Sequence, residues 1–459
     1  RNVQTFNQRP GIARPLRAAR MESVSVKPVK VGICGLGTVG GGTFNVLKRN
    51  AEEIARRAGR GIEVAQIAAR RPNPKCDTSG AAITADVFAL VNNPEIDIVI
   101  ELIGGYTVAR EVVMQAIENG KHVVTANKAL IAVHGHEIFA RAREKGVIVA
   151  FEAAVAGGIP VIKAIREGLS ANRINWLAGI INGTGNFILS EMRDKGRAFE
   201  DVLKEAQALG YAEADPTFDV EGIDAAHKLT ILASIAFGIP LQFDKAYTEG
   251  ITQLTSADVA YAEALGYRIK HLGVARRTDK GIELRVHPTL IPADRLIANV
   301  NGVMNAVMVN GDAAGSTLYY GAGAGMEPTA SSVVADLVDV VRAMTTDPEN
   351  RVPHLAFQAD ALSDHPILPI SECESAYYLR VQAKDRPGVL AQVASILSAR
   401  GINIESVMQK EADEQDGLVP MILLTHRVAE QRMDDALAAL EVLDDVAGPV
   451  MRIRVEHLN

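Results

Sequence analysis

The chain has 459 residues, which at about 150 residues per domain predicts about three domains. Hydrophobic residues make up 48% and charged residues 22%, ordinary values that exclude extended disorder, collagen and a coiled coil. A formal net charge of −7 and 5% aromatic content argue against a nucleic-acid partner, and no apolar run approaches the roughly 18–20 residues that cross a membrane.

Residues 1–20 carry five arginines (Arg1, Arg9, Arg14, Arg17, Arg20) and no acid. That composition fits a transit peptide or translated upstream sequence. The second reading is preferred, with 1–27 expected to be a disordered or non-native extension. Val29–Gly35 then reads as a strand ending in glycines, Thr38–Arg57 as a helix and Ile62–Ala69 as a second strand. Ile96–Leu102, His122–Thr125 and Val147–Phe151 are further β-rich runs, separated by helical stretches such as Thr107–Asn119 and His134–Lys145. Strands alternating with helices predict a doubly wound parallel α/β sheet of the Rossmann type over 28–157.

From about residue 158 the rhythm changes. Strands Arg173–Ile181, Ile282–Pro288 and Gly302–Asn310 mix with helices Phe199–Leu209, Gly222–Phe237 and Ser256–Gly266. This predicts an α+β domain over 158–345, followed by a Pro-, Asp- and His-rich linker at 346–375. The tail, 376–459, reads as strand (Tyr377–Ala383), helix (Val389–Arg400), strands (Ile402–Met408, Val419–Thr425), helix (Gln431–Leu440) and strand (Val450–Val455). That βαββαβ order is a ferredoxin-like split motif.

Gly35-Leu36-Gly37-Thr38-Val39-Gly40 fits GxGxxG. The pattern alone is weak, but between a strand and a helix it predicts a dinucleotide pyrophosphate on the helix N-terminus. The second strand ends in Ala69-Arg70-Arg71 rather than in an acid. Arg70 and Arg71 suit a ribose 2′-phosphate, so NADP is preferred, with NAD open if both arginines merely edge a solvated loop. Lys128 follows an apolar strand at the sheet edge where ligands bind. Asp224 and Lys228 are four apart on one helix face, beside a loop carrying Glu213, Asp215 and Asp219. Such a pair is a surface salt bridge on one reading. On the other it is a site whose acids grip a substrate ammonium while Lys228 handles a proton. Three cysteines, Cys34, Cys76 and Cys373, form neither a CxxC pair nor a zinc-spaced cluster, and reduced thiols in the cytoplasm are expected.

Taken together, GLGTVG, TANKAL, EAAVAGGIP, INGTGNFIL, LGYAEADPTFDVEGIDAAHKL and GAGAGMEPTAS resemble the homoserine dehydrogenase family from about residue 28 to 345. The tail resembles an ACT regulatory domain through Asp385-Arg386-Pro387-Gly388-Val389-Leu390 and Ile402-Asn403-Ile404. The resemblance implies NAD(P)-linked interconversion of L-homoserine and L-aspartate 4-semialdehyde, a step towards threonine, methionine and isoleucine. It makes Lys228 the proton donor and places Lys128 beside cofactor and substrate. Glu213 and Asp224 would bind substrate, with Asp219 supporting them. Gly210 and Gly325 would add cofactor contacts, and Glu152, Val155, Gly157 and Ile159 a monovalent cation site for sodium. Asp385, Gly388, Val389, Leu390 and Asn403 would serve an amino-acid effector such as threonine. A homodimer or homotetramer is expected. Two rival classes are weaker. A thioester-forming aldehyde dehydrogenase needs an activated cysteine, and none lies among the site motifs. A catalytically dead binding scaffold sits poorly with an intact Lys and acid constellation.

Overall fold

The computed structural model describes residues 27–348, 351–409 and 417–459. The expectation for the N-terminal extension falls almost entirely outside them.

Short apolar runs form six parallel strands: β1 Val29–Cys34, β2 Ile62–Ala68, β3 Ala82–Thr84, β4 Ile98–Glu101, β5 His122–Thr125 and β6 Val149–Ala150. Their order is β3-β2-β1-β4-β5-β6, so the chain reverses direction across the sheet between β1 and β4, where doubly wound folds bind ligands. The strands are nearly continuous in Val and Ile because helices cover both faces. The helix read as Thr38–Arg57 is two helices, Thr38–Arg49 and Ala51–Ala58, because Asn50 leaves helical geometry. The helix read from His134 starts earlier, at Lys128. The helix Met326–Ala343 comes from the second unit in sequence. Its Ala330, Val333, Leu337 and Val341 nonetheless lie in one core with Val31, Ile33 and Phe44.

The second unit contributes β7 Ile174–Ile180, β8 Tyr247–Thr248, β9 Tyr267–Arg277, β10 Ile282–Pro292, β11 Met304–Gly311 and β12 Gly315–Ala322. The C-terminal unit contributes β13 Glu374–Lys384, β14 Ile404–Gln409, β15 Leu418–Thr425, β16 Val428–Ala429 and β17 Met451–Val455. The two sets are one sheet, ordered β12-β11-β7-β9-β10-β17-β13-β15-β14. The join is β17 on β10, parallel, with Thr289 facing Arg454 and Leu290 facing Val455. Period-two alternation explains how the C-terminal sheet is buried on both faces. Tyr377, Leu379 and Val381 pack under helices Val389–Ala399 and Glu430–Leu440, while Ala376 and Tyr378 pack with Ile188, Leu189 and Val259 of the second unit. The segment between these units is no loose tether. Leu355 and Ile367 enter the main core, and Ile367 bridges to Ile282.

Candidate active site

Three chain segments converge on one carboxylate. The first leaves β5, whose four residues are buried. Asn127 caps the following helix by accepting from the Leu130 amide (3.1 Å), which fixes Lys128 as its first residue. The second leaves β7. Asn182 caps the helix Gly183–Lys195 by accepting from the Gly185 amide (2.7 Å), and its Nδ2 donates to Asp219 Oδ1 (2.7 Å) and Asp224 Oδ2 (2.9 Å). The third is the helix Ile223–Phe237. Asp224 lies in its first turn and Lys228 one turn on, so the i,i+4 pairing read in the sequence closes at 2.7 Å between Lys228 Nζ and Asp224 Oδ2. Lys228 Nζ also donates to the Ile181 carbonyl (2.7 Å). Lys128 Nζ reaches Asp224 Oδ1 at 3.1 Å.

The cluster is deep: the Asp224 and Lys228 side chains are 9% and 12% exposed, and that of Lys128 is 39% exposed. Burial opposes ionisation of Asp224, but Lys228 and Lys128 outweigh it and hold the group well below the usual carboxylate range. Burial lowers the Lys228 pKa against the pull of Asp224. Asp224 raises that of Lys128, with smaller help from Asp219 and Glu213. Burial also raises the Asp219 pKa. The result is an ammonium that gives up its proton more readily than an ordinary lysine, held beside one that does not.

Glu213 and Gly210 lie on an exposed loop, which is tied to the helix Gly183–Lys195 where Thr184 Oγ1 donates to the Tyr211 carbonyl (2.6 Å). Gly325 caps the helix Met326–Ala343. Asn182, Thr184 and Tyr211 were missed as individual residues. An Asn between a strand and a helix start is an N-cap signal, which would have flagged Asn182. Glu101 was missed as well. At the carboxyl end of β4, it accepts from the amides of Ile103 (2.8 Å) and Gly104 (3.2 Å) and from Thr125 Oγ1 (2.6 Å), shaping the loop at the sheet edge.

The glycine loop has the geometry of a dinucleotide cradle. Gly35 is left-handed at φ +102°, with the Leu102 carbonyl 2.6 Å from where a Cβ would stand. A Cβ on Gly40 would strike the Gly35 carbonyl, whereas Gly37 faces open space. Thr38 and Val39 begin the helix, and Leu36 is buried beneath the turn. Asn73 Nδ2 donates to the Leu36 (3.1 Å) and Gly37 (3.2 Å) carbonyls. That folds the segment after β2 against the loop, and Arg70 and Arg71 stand exposed there.

The four residues expected to hold a cation lie on the turn that follows β6. The Glu152 carboxylate accepts from the amides of Ile162 (2.9 Å) and Lys163 (2.8 Å), so it is already engaged; burial raises its pKa to about 7. Among the described residues, no three His, Cys, Asp or Glu are placed to hold a metal ion. Of the main-chain carbonyls, those of Glu152, Gly157 and Ile159 accept from the Val155 amide (3.3 Å), Ser332 Oγ (2.6 Å) and the Val161 amide (2.8 Å), and each keeps a second lone pair, around a turn with left-handed Ala156 (φ 55°) and Gly157 (φ 48°). Such hard oxygens suit a monovalent cation.

The regulatory set is not brought together. Asp385, Gly388, Val389 and Leu390 follow the end of β13, where Lys384 pairs with Leu418. Asn403 precedes β14, and its carbonyl meets the His426 amide beyond the far end of β15. The length of β15, eight residues at about 3.4 Å each, separates them. One chain cannot close a single pocket from both.

The model for the family "Homoserine dehydrogenase" matches residues 160–338, that for "Homoserine dehydrogenase, NAD binding domain" residues 35–152 and that for "ACT domain" residues 377–445. The chain is 88% identical over 434 residues to the homoserine dehydrogenase of Pseudomonas aeruginosa, covering 95% of this chain and 100% of that protein. The crystal structure of a homoserine dehydrogenase from Thiobacillus denitrificans superposes with a TM-score of 0.90 at 67% identity, covering 94% of this chain and 99% of that one. The Staphylococcus aureus enzyme at pH 7.5 gives 0.71 at 31% identity, covering 94% and 99%. The chain therefore belongs to the homoserine dehydrogenase family, NAD(P)-dependent oxidoreductases that interconvert L-homoserine and L-aspartate 4-semialdehyde.

Proposed function

We propose that Lys228 is the proton donor of aldehyde reduction and the base of homoserine oxidation. The observation that carries this is the sharing of Asp224 by two ammoniums, at 2.7 Å from Lys228 and 3.1 Å from Lys128. Reduction of the aldehyde develops alkoxide charge, which a buried ammonium stabilises and then protonates. Asp224 orients both lysines and acts on substrate through them. Asp219 and Glu213 are the acids available to the substrate ammonium. Lys128, on the nucleotide-binding side, holds the reacting carbonyl near the cofactor cradle.

Gly35, Leu36, Gly37, Thr38, Val39 and Gly40 would hold the pyrophosphate, Arg70 and Arg71 a 2′-phosphate, and Gly210 and Gly325 the nicotinamide end; the dinucleotide, preferentially NADP, supplies the hydride when bound. The carbonyls of Glu152, Val155, Gly157 and Ile159 would hold sodium. The Asp385–Leu390 turn and Asn403 would meet in an effector site for threonine only when two copies pair, which favours a homodimer or homotetramer. No helix among the described residues is long and apolar enough to cross a membrane, and three free thiols fit the reducing cytoplasm.

The test is Lys228→Ala, assayed spectrophotometrically with aspartate semialdehyde and NADPH. Turnover is expected to fall by about 10²–10⁴-fold, with NADPH affinity by fluorescence titration unchanged. A variant that reduces the semialdehyde at the wild-type rate would overturn the assignment.

A further inference from the structure

A cavity of about 1060 Å³ opens between the nucleotide-binding unit, the helix Met326–Ala343 and the linker that follows it. That volume is at the upper end for small-ligand pockets, roughly 300–1,000 Å³. Neither the catalytic lysines nor any residue of the C-terminal unit lines it. The linker gives it an apolar wall that faces water, with Val352 51% and Phe357 39% exposed.

The polar end is built round one imidazole. His354 stacks on Phe139 with ring centroids 4.8 Å apart. Its Nε2 accepts from the Val149 amide (3.3 Å) at the open edge of the parallel sheet. The ring hydrogen therefore sits on Nδ1, which among the described residues donates to nothing. Burial, then the charges of Arg166, Arg143 and Arg351, push the His354 pKa down to about 4, so three guanidiniums stand round a neutral ring. They are short of anions. Arg143 is exposed and, among the described residues, pairs with no acid. Arg351 spends its two Nη groups on the carbonyls of Gly146 (2.8 Å) and Thr346 (3.1 Å), and Asp347 partly balances its charge. Arg166 has Glu167 (3.0 Å). The Nε groups of Arg166 and Arg351 are buried without an acceptor. Other acids of the wall are engaged elsewhere: Glu144 by Arg141 (2.5 Å), Asp339 by Lys163 and Arg342, and Asp336 by the Glu152 amide (2.8 Å).

We propose that this cavity binds a phosphomonoester with a compact apolar body, its phosphate among Arg143, Arg166, Arg351 and His354 Nδ1 and its body against Val352 and Phe357. A phosphomonoester brings a charge of about −1.5 to −2 and three acceptor oxygens. That suits three guanidiniums and an imidazole N–H better than the single charge of a carboxylate. The site is complete within one chain. It shares no residue with the catalytic cluster or the glycine loop, so it stands or falls apart from the reading of Lys228.

The experiment is calorimetric titration of the full-length enzyme with phenyl phosphate, the dinucleotide site being kept filled with NADPH. Inorganic phosphate, benzoate and benzyl alcohol are the comparisons. Phenyl phosphate is expected to bind once per chain and at least tenfold more tightly than inorganic phosphate or benzoate, and benzyl alcohol not to bind. Arg143→Gln and Arg166→Gln should each weaken phenyl phosphate tenfold or more. Phe357→Ala should weaken phenyl phosphate and leave inorganic phosphate unchanged. Hydrogen exchange of residues 351–358 should slow on binding. Arg143 is exposed, so Arg143→Gln should fold and keep the wild-type kcat, and it carries the test if Arg166→Gln does not fold. Phenyl phosphate that fails to bind the wild type, or binds Arg143→Gln as tightly, overturns the site. Benzoate that binds as tightly overturns the choice of phosphate, and inorganic phosphate that binds as tightly overturns the apolar body.

Discussion

Two buried clusters of charge are assembled from similar parts and finish in opposite conditions. At the catalytic helix, two lysines share Asp224, and among the described residues neither Asp219 nor Glu213 has a cation within ion-pair distance. At the join of β10 with β17, four arginines meet four glutamates. Arg285 pairs with Glu456 (2.5 Å) and Glu283 (3.0 Å), and Arg276 with Glu456 (2.8 Å). Arg454 pairs with Glu249 (2.7 Å) and with Glu430, and Arg452 also reaches Glu430 (2.9 Å). Tyr377 adds a hydrogen bond to Glu430 (2.7 Å). Despite burial, Arg285 and Arg276 draw the Glu456 pKa down to about 2. The join is balanced and nearly closed to water, so it fixes two units together; the cleft keeps unmatched groups that a substrate can complete.

Mutation should separate the two. Lys228→Ala, with its loss of about 10²–10⁴-fold in turnover, should leave the denaturant midpoint close to that of wild type. Glu456→Gln should do the reverse. It takes one of two carboxylates from Arg285 and the nearer one from Arg276, leaving both on Glu283 alone, and should cost about 3–5 kcal/mol of stability, read from chemical unfolding, while the folded fraction keeps its kcat. A Glu456→Gln enzyme that unfolds normally, or loses kcat without losing stability, would break the comparison.

The cleft was more legible in the sequence than the join, and the reason is range. Asp224 and Lys228 are one helical turn apart, so spacing alone put them together. The glycine loop was legible because strand, turn and helix are contiguous. Lys128 could be placed at the sheet edge, but its contact with Asp224 depends on two helices almost a hundred residues apart in sequence. Asn182 bridges two acids only after β7 and the turn after Pro216 have folded together. In β17, Arg452 and Arg454 alternate with Met451, Ile453 and Val455, which by itself looks like a half-exposed strand. Arg454 is in fact 0% exposed, because its partners Glu249 and Glu430 come from elsewhere. The ACT motif gave its fold correctly but hid that Asp385 and Asn403 lie at opposite ends of β15.

Arg70 and Arg71 show a third condition of positive charge: exposed and, among the described residues, without an anion. If they await a 2′-phosphate, Arg70→Ala and Arg71→Ala should each lose about 1.5–3 kcal/mol of discrimination, roughly tenfold or more in the ratio of NADP to NAD kcat/KM. The loss should appear in KM for NADP, with kcat for NAD unchanged. Neither variant should alter unfolding, in contrast to an arginine of the join. An unchanged cofactor ratio in the double variant would return both residues to the status of solvated loop edge.

The smallest effect expected is the pH dependence that the unmatched cleft imposes. Burial lowers the Lys228 pKa from the usual lysine range, so the group titrates before ordinary lysines do. Reduction needs the ammonium, and its kcat should fall as pH rises through that pKa. Oxidation needs the neutral amine, and its kcat should rise through the same value. Because Lys228 bonds Asp224 and also feels the charges of Lys128 and Asp219, the midpoint belongs to the cluster. Asp224→Asn removes the charge that opposes burial and should move both limbs to lower pH together. Glu456→Gln touches none of these groups and should leave them where they are. Limbs that run parallel in the two directions, or that move with Glu456→Gln, would mean that the proton passes through some other group.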